Sequence, residues 1–192
     1  MNYLNIASII NKTEAEGPDM RMAIWVQGCL KRCRSCCNPE FLPIRVEMLF
    51  TIDSLCHLIL ENQQAYAIEG ITILGGEPFL QAQGLAEIAQ FCQSIGLSVM
   101  LFTGYNKEEL LEPQFLGATK LLKHTDLLVD GEYNAKQQEG VRNWVGSSNQ
   151  KFHYLSNAYS SDIETQRLHV TNEWRITTDG TLVGNGLPFI MK

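Results

Sequence analysis

Four short apolar runs punctuate the chain: MAIWVQ (22 to 27), ITIL (71 to 74), SVMLF (98 to 102) and DLLVD (126 to 130). Each is short and apolar enough to be a strand buried on both faces. Amphipathic segments separate them. Ile52, Leu55, Cys56 and Ile59 fall at i, i+3, i+4 and i+7, with Thr51 placed to cap a helix start. Leu85, Ile88, Ala89 and Cys92 repeat that spacing, and Gly96 follows where a left-handed helix end is wanted. Leu110 to Leu122 predicts a weaker helical stretch, interrupted by proline.

Strand and helix alternating in this way predict an α/β fold with a parallel sheet and right-handed crossovers, either open or curling toward a barrel. YLNIASII (3 to 10) adds an N-terminal strand. Beyond residue 150 the pattern weakens: TQRLHV and EWRITTDGTLV resemble strands, the second with a TTDGT turn, and a hairpin is expected there.

No repeat, low-complexity tract or linker divides the 192 residues, so one domain over 1–192 is expected. A chain of this length buries a core without help from disulfides or metals. The net charge of -6 argues against a general binder of nucleic acid or of membrane surfaces. No apolar run is long enough to span a bilayer. MNYLNIASIINKTEAEG lacks the marks of a signal peptide, so a cytoplasmic location is expected, where six cysteines are thiols, metal ligands or catalytic groups.

Four of those cysteines crowd into GCLKRCRSCCNPE (28 to 40). A structural zinc site takes ligand pairs from separate segments, and no second pair follows. A redox pair at Cys33 and Cys36 leaves Cys29 and Cys37 unexplained. An electron-carrier cluster needs a fourth ligand, and Cys37, adjacent to Cys36, points away from its neighbour. There remains a 4Fe-4S cluster on Cys29, Cys33 and Cys36, spaced C-x3-C-x2-C, with one iron open to a small molecule.

This spacing after an early strand resembles the signature of the radical S-adenosylmethionine enzymes. GGEPF (75 to 79) resembles that superfamily's GGEP element. TGY (103 to 105) and DGEY (130 to 133) follow the next two strands, so all four motifs lie beyond the same ends of successive strands. EGPDMR (16 to 21) is similar to the E/D-G-P-G-x-R lead-in of the activators of glycyl radical enzymes, with Asp19 in place of the second glycine. CNPE, LFTGY, DLLVDGEY and GSSNQ (146 to 150) resemble the activators of anaerobic ribonucleotide reductase more than those of pyruvate formate-lyase. Similarity therefore spans about residues 14–152, with a C-terminal extension from about 153. Val145 stands where an arginine is expected before Gly146, with Arg142 three residues upstream. A helical stretch around 44 to 66 is an addition.

The resemblance implies a partial, open parallel β/α barrel and a cytoplasmic oxidoreductase. Reductive cleavage of S-adenosylmethionine would give a 5'-deoxyadenosyl radical that takes hydrogen from a glycine of a partner enzyme. It implies Cys29, Cys33 and Cys36 as cluster ligands. Ser35, Cys36 and Cys37 would lie against the adenosyl moiety, and Gly75, Gly76 and Glu77 would fix the methionine end. Thr103 and Asp130 are candidates for the ribose, the carboxylate or an associated cation. No residue reads as a dedicated general acid or base. The expected partners are a glycyl radical enzyme and a low-potential electron donor such as flavodoxin or ferredoxin. Rival readings are a radical enzyme acting on a peptide or small molecule, and a non-catalytic iron-sulfur carrier. Trp25 is expected in the core beneath the cysteine loop, Cys56 and Cys92 as small core residues, and His124, His153 and His169 outside any ligand set.

Overall fold

The structure is a computed structural model that describes residues 3 to 166 and 170 to 186. Its main sheet has seven strands: β1 (Tyr3–Thr13), β2 (Arg21–Val26), β3 (Met48–Thr51), β4 (Gly70–Gly75), β5 (Ser98–Phe102), β6 (Leu127–Asp130) and β7 (Lys151–Tyr154). They lie in the order β3-β1-β2-β4-β5-β6-β7. The four expected apolar runs are β2, β4, β5 and β6, paired parallel to one another. Antiparallel strands extend both sides: β1 and β3 beyond β2, and β7 beyond β6.

Helix α1 (Ile52–Tyr66) starts at the expected Thr51, whose hydroxyl accepts from the Ser54 amide at 3.0 Å. Helix α2 (Ala82–Ser94) ends with Gly96 at φ +80°. The added stretch around 44 to 66 is helical only from Ile52. Residues 48 to 51 instead form β3, which pairs with β1 and covers an edge that would otherwise expose its backbone polar groups. The 110 to 122 stretch is also corrected. It breaks into a 3-10 turn (Glu109–Leu111) and α3 (Ala118–Lys123), because Pro113 and the left-handed Gly117 lie between them. Residues 167 to 169 of TQRLHV lie outside the described residues and the rest of it is not strand; the hairpin falls within EWRITTDGTLV and its flanks, where β8 (Asn172–Ile176) pairs with β9 (Leu182–Gly186). No helix among the described residues is long and apolar enough to cross a membrane.

All three helices pack on one face of the sheet. Leu55, Ile59, Leu85, Ile88, Ala118 and Leu121 share a core with Ile24, Ile73, Leu101 and Leu128. Cys92 is fully buried there and Cys56 sits at its margin. On the opposite face, Met100, Leu127 and Val129 are covered by Trp144, Val145 and Tyr159. Val145, at the position expected to hold arginine, is a core residue. Arg142 instead donates to the Ser148 and Gln150 carbonyls, tying down the segment around it.

EGPDMR proves structural. Arg21 is fully buried and donates to Thr72 Oγ1, to the Ile71 and Pro18 carbonyls, to Ser98 Oγ and to Tyr159 O–H, with no carboxylate among these partners. It pins the starts of β2, β4 and β5 together. Asp19 adopts φ +62°, a conformation glycine reaches freely and aspartate tolerates, which explains the exchange at this position. Buried Glu16 accepts from Asn185 Nδ2 and from the Gly186 amide, docking the β8–β9 hairpin against the β1–β2 connection. Replacing Arg21 with alanine should strip several buried acceptors of their donor and cost about 3 kcal/mol or more. The check is the urea midpoint of the cluster-free protein; an unchanged midpoint would show the network to be dispensable.

Candidate functional site

The loops after β2, β4, β5 and β6 gather at the carboxyl ends of the parallel strands, where open α/β sheets bind their ligands. The cysteine loop leaves β2 through Gly28, which adopts φ +97°. It is closed on itself by hydrogen bonds from the Gly28 amide to the Phe41 carbonyl (2.8 Å) and from the Cys29 amide to the Leu42 carbonyl (3.1 Å). Trp25, near the end of β2, is buried as expected.

Within the loop Cys29 is buried, Cys33 and Cys36 are half-buried and Cys37 is exposed; all are free thiols. Burial pushes the Cys29 thiol up, and pushes Cys33 up to about 11. The charge of Cys36 acts on both Cys29 and Cys33. Each sulfur also accepts from backbone: Cys29 from Arg32 and Lys31, Cys33 from Tyr133, and Cys36 from Asn38 at 3.4 Å. Among the described residues no three Cys, His, Asp or Glu side chains are placed to hold a single metal ion. Three thiols on one short closed loop, with backbone amide donors beside them, suit an iron-sulfur cluster, whose sulfurs take such hydrogen bonds.

Cys37 does not point away from its neighbour. Its thiol donates to the Cys36 sulfur, which lowers Cys36 and raises Cys37. Ser35, exposed at φ +63°, forms the turn between them and Cys33.

The GGEP loop is set against the root of the cysteine loop by two backbone hydrogen bonds. The Gly76 amide donates to the Val26 carbonyl and the Glu77 amide to the Gly28 carbonyl, both at 2.8 Å. A Cβ on Gly76 would lie 2.3 Å from the Gly28 oxygen, and one on Gly75 2.7 Å from the Val26 nitrogen. The glycines are therefore required for backbone to meet backbone, before any ligand is considered.

Glu77 is buried beneath this contact. Its Oε1 accepts from the Phe79 amide (3.0 Å) and Thr103 Oγ1 (2.8 Å), and its Oε2 from the Gly104 amide (3.0 Å). Three of a carboxylate's roughly four acceptor positions are thus taken. Burial raises its pKa to about 7 against these hydrogen bonds and the nearby Lys31 charge, so a bound ammonium would favour the ionised form.

Thr103 and Glu77 are brought together, whereas Asp130 belongs to a separate cluster. Its Oδ2 accepts from the Lys107 amide (2.7 Å) and lies 2.8 Å from His153 Nε2, while its buried Oδ1 has no hydrogen-bond partner. His153, expected outside any constellation, thus meets an acidic group; β7 pairing beside β6 creates that contact, and no local motif marks it. His124 sits apart beside Gln93, and His169 lies outside the described residues. Lys31 was also not singled out by spacing. From inside the cysteine motif it reaches the β5 loop, with Nζ 4.4 Å from the centre of the Tyr105 ring and 3.6 Å from Glu109 Oε1. GSSNQ braces the β6 loop: Asn149 Nδ2 donates to the Glu132 carbonyl at 2.8 Å, and Gln150 Oε1 accepts from the Gly146 and Ser147 amides.

Two outcomes follow from this geometry. Gly76→Ala should push the cysteine loop from the GGEP loop and sharply lower the iron retained after anaerobic reconstitution; full iron loading would show the close approach to be unnecessary. Glu77 keeps its proton to higher pH in the folded chain than in the unfolded one, so its ionisation costs stability as pH rises from 4.5 to about 7. Thermal melts of cluster-free protein across that range should show this loss, and Glu77→Gln should remove it.

A protein-family model described as a 4Fe-4S single cluster domain matches residues 15–153. The anaerobic ribonucleoside-triphosphate reductase-activating protein of Enterobacteria phage T4 is 31% identical over 140 residues, covering 70% of this chain and 84% of that one. Its namesake from Escherichia coli K12 is 29% identical over 145 residues, covering 72% of this chain and 91% of that one. The pyruvate formate-lyase-activating enzyme of Clostridium pasteurianum is 30% identical over 129 residues, covering 65% of this chain and half of that enzyme. Among solved structures, QueE from Escherichia coli aligns with a TM-score of 0.40 at 17% identity, over 54% of this chain and 52% of that one, too loosely to bear on the fold. With its cysteine and GGEP loops clamped together at the strand ends, the chain belongs to the 4Fe-4S single cluster domain family of radical S-adenosylmethionine enzymes, among the activating enzymes of glycyl radical enzymes.

Proposed function

We propose that this radical enzyme activates an anaerobic ribonucleotide reductase by installing a glycyl radical on it. The support is the agreement between a three-thiol loop beside a GGEP loop and relatives from phage and bacteria that carry that activator's name. Once bound and given one electron, the cluster and S-adenosylmethionine would supply the radical chemistry that removes a hydrogen atom from the glycine α-carbon, with methionine and 5'-deoxyadenosine as by-products. What this chain's residues contribute is placement. Cys29, Cys33 and Cys36 would hold the cluster, with Cys37 outside the ligand set. Ser35 to Cys37 face the adenosyl group. Gly75 to Glu77 receive the methionine end, where the Thr103 and Gly104 bonds hold the Glu77 carboxylate still.

Asp130 is a candidate for the ribose, the carboxylate or an associated cation, and its Oδ2 anchors the β5 loop through Lys107. The absence of a dedicated acid or base suits hydrogen-atom transfer, which depends on positioning more than on proton shuttling. Among the described residues the three α-helices lie on one face and the parallel strands follow one another in a single direction across the sheet, which supports an open, partial β/α barrel as the frame. A low-potential flavodoxin or ferredoxin would deliver the electron, and a reducing cytoplasm suits the chemistry.

Anaerobic reconstitution, reduction and a search for 5'-deoxyadenosine test this. Alanine at Cys29, Cys33 or Cys36 should abolish the product, whereas Cys37→Ala should keep an intact cluster and measurable cleavage, lowered by less than about tenfold. Retained cleavage in all three ligand variants would overturn the assignment.

A further inference from the structure

We infer that Lys31 is a positioning residue for S-adenosylmethionine: its side chain straps the cysteine loop to the β5 loop beside Glu77 and holds the two loops at the spacing the cofactor meets. The assignment rests on the radical reading above, which puts the methionine end at Gly75 to Glu77. Lys31 lies between the proposed ligands Cys29 and Cys33. A lysine on a surface loop ordinarily extends into water, yet this side chain is only 20% exposed and lies along the neighbouring loop. Its stem passes over Gly104, where a Cβ would lie 3.3 Å from Lys31 Cγ and 3.7 Å from Glu77 Oε2. The strap therefore crosses the β5 loop at the residue whose amide holds the Glu77 carboxylate. Beyond Gly104 the ammonium group ends over the Tyr105 ring and beside Glu109.

The receiving end is held by contacts of its own. Glu109 Oε2 accepts from the Asn106 amide at 2.6 Å, which leaves Oε1 for Lys31. The next residue, Leu110, is buried in the core and anchors that turn. Tyr105 packs edge-on against Phe115, with ring centroids 4.7 Å apart, which fixes the ring that the ammonium meets. A fixed aromatic face with a carboxylate beside it is a favourable seat for a cation. The backbone bonds at Gly28 and Cys29 secure the root of the cysteine loop, and the strap secures its arc. Loops held at both places need less ordering when a ligand arrives, so loss of the strap weakens binding more than it slows the chemical step.

The test uses Lys31→Met, which keeps the stem and removes the charge, Lys31→Arg, which keeps a cation for the ring and the carboxylate, and Glu109→Gln on the β5 loop. In iron-replete reconstituted enzyme with dithionite as reductant, Lys31→Met should raise the KM for S-adenosylmethionine about fivefold in 5'-deoxyadenosine formation, with kcat within about twofold of wild type, and Lys31→Arg should restore most of the loss. In cluster-free protein, hydrogen exchange at the Gly104 amide, followed by NMR, should be at least about threefold faster in Lys31→Met, because the cover over its bond to Glu77 is gone. Should Lys31→Met lose iron, Glu109→Gln decides, with a KM raised about twofold to threefold. A wild-type KM in these iron-replete variants would overturn the assignment. So would a fall in kcat at unchanged KM, which would place Lys31 in electron delivery, or a raised KM with unchanged Gly104 exchange, which would mean that Lys31 touches the cofactor directly. A wild-type enzyme that makes no 5'-deoxyadenosine would instead refute the radical reading, and the exchange measurement would still decide the strap.

Discussion

Two backbone hydrogen bonds, from Gly76 and Glu77 to the carbonyls of Val26 and Gly28, set the spacing on which the site depends. They join the end of β4 to the point where the cysteine loop leaves β2. Side chains at Gly75 or Gly76 would wedge these peptides apart. Once the loops are joined, Glu77 lies buried and draws in Thr103 and Gly104, so the β5 loop is carried into the same constellation. Asp130 then links the β6 end to the β5 loop through Lys107. Four loops far apart in sequence become one surface through a chain of short polar contacts.

The opposite end of the sheet is fixed by a buried cation. Arg21 reaches the starts of β4 and β5 and the Tyr159 hydroxyl without a carboxylate to neutralise it. Its charge is spread over carbonyl and hydroxyl dipoles, which satisfy a guanidinium when its donors are all engaged. The two ends divide the labour: Arg21 holds the strands in register below, and the glycine contact positions the loops above.

The parallel core was legible because strands buried on both faces are written as unbroken apolar runs, and MAIWVQ, ITIL, SVMLF and DLLVD all became β2, β4, β5 and β6. The additions at the edges were not. β3 forms because β1 needs a partner, and nothing within MLFT itself separates a short edge strand from the start of a helix. The helix around 110 to 122 failed where Pro113 and Gly117 outweighed apolar spacing. At the site, spacing and motif located the cysteines, the GGEP turn and Thr103. They did not disclose that the glycines serve a backbone contact, that Cys37 turns toward Cys36, or that Lys31 and His153 reach across from other segments. Those facts arise from pairings between strands and loops distant in sequence, which local pattern does not encode.

The central claim is that three thiolates hold the cluster and leave one iron for S-adenosylmethionine. The most direct measurement is the Mössbauer spectrum of the wild-type protein reconstituted with isotopically enriched iron, recorded before and after the cofactor is added. The expected result is a single iron whose signal separates from the other three and shifts when S-adenosylmethionine binds, because its ligands change while theirs do not. Four irons that ignore the cofactor would mark a fully ligated electron carrier and contradict the account.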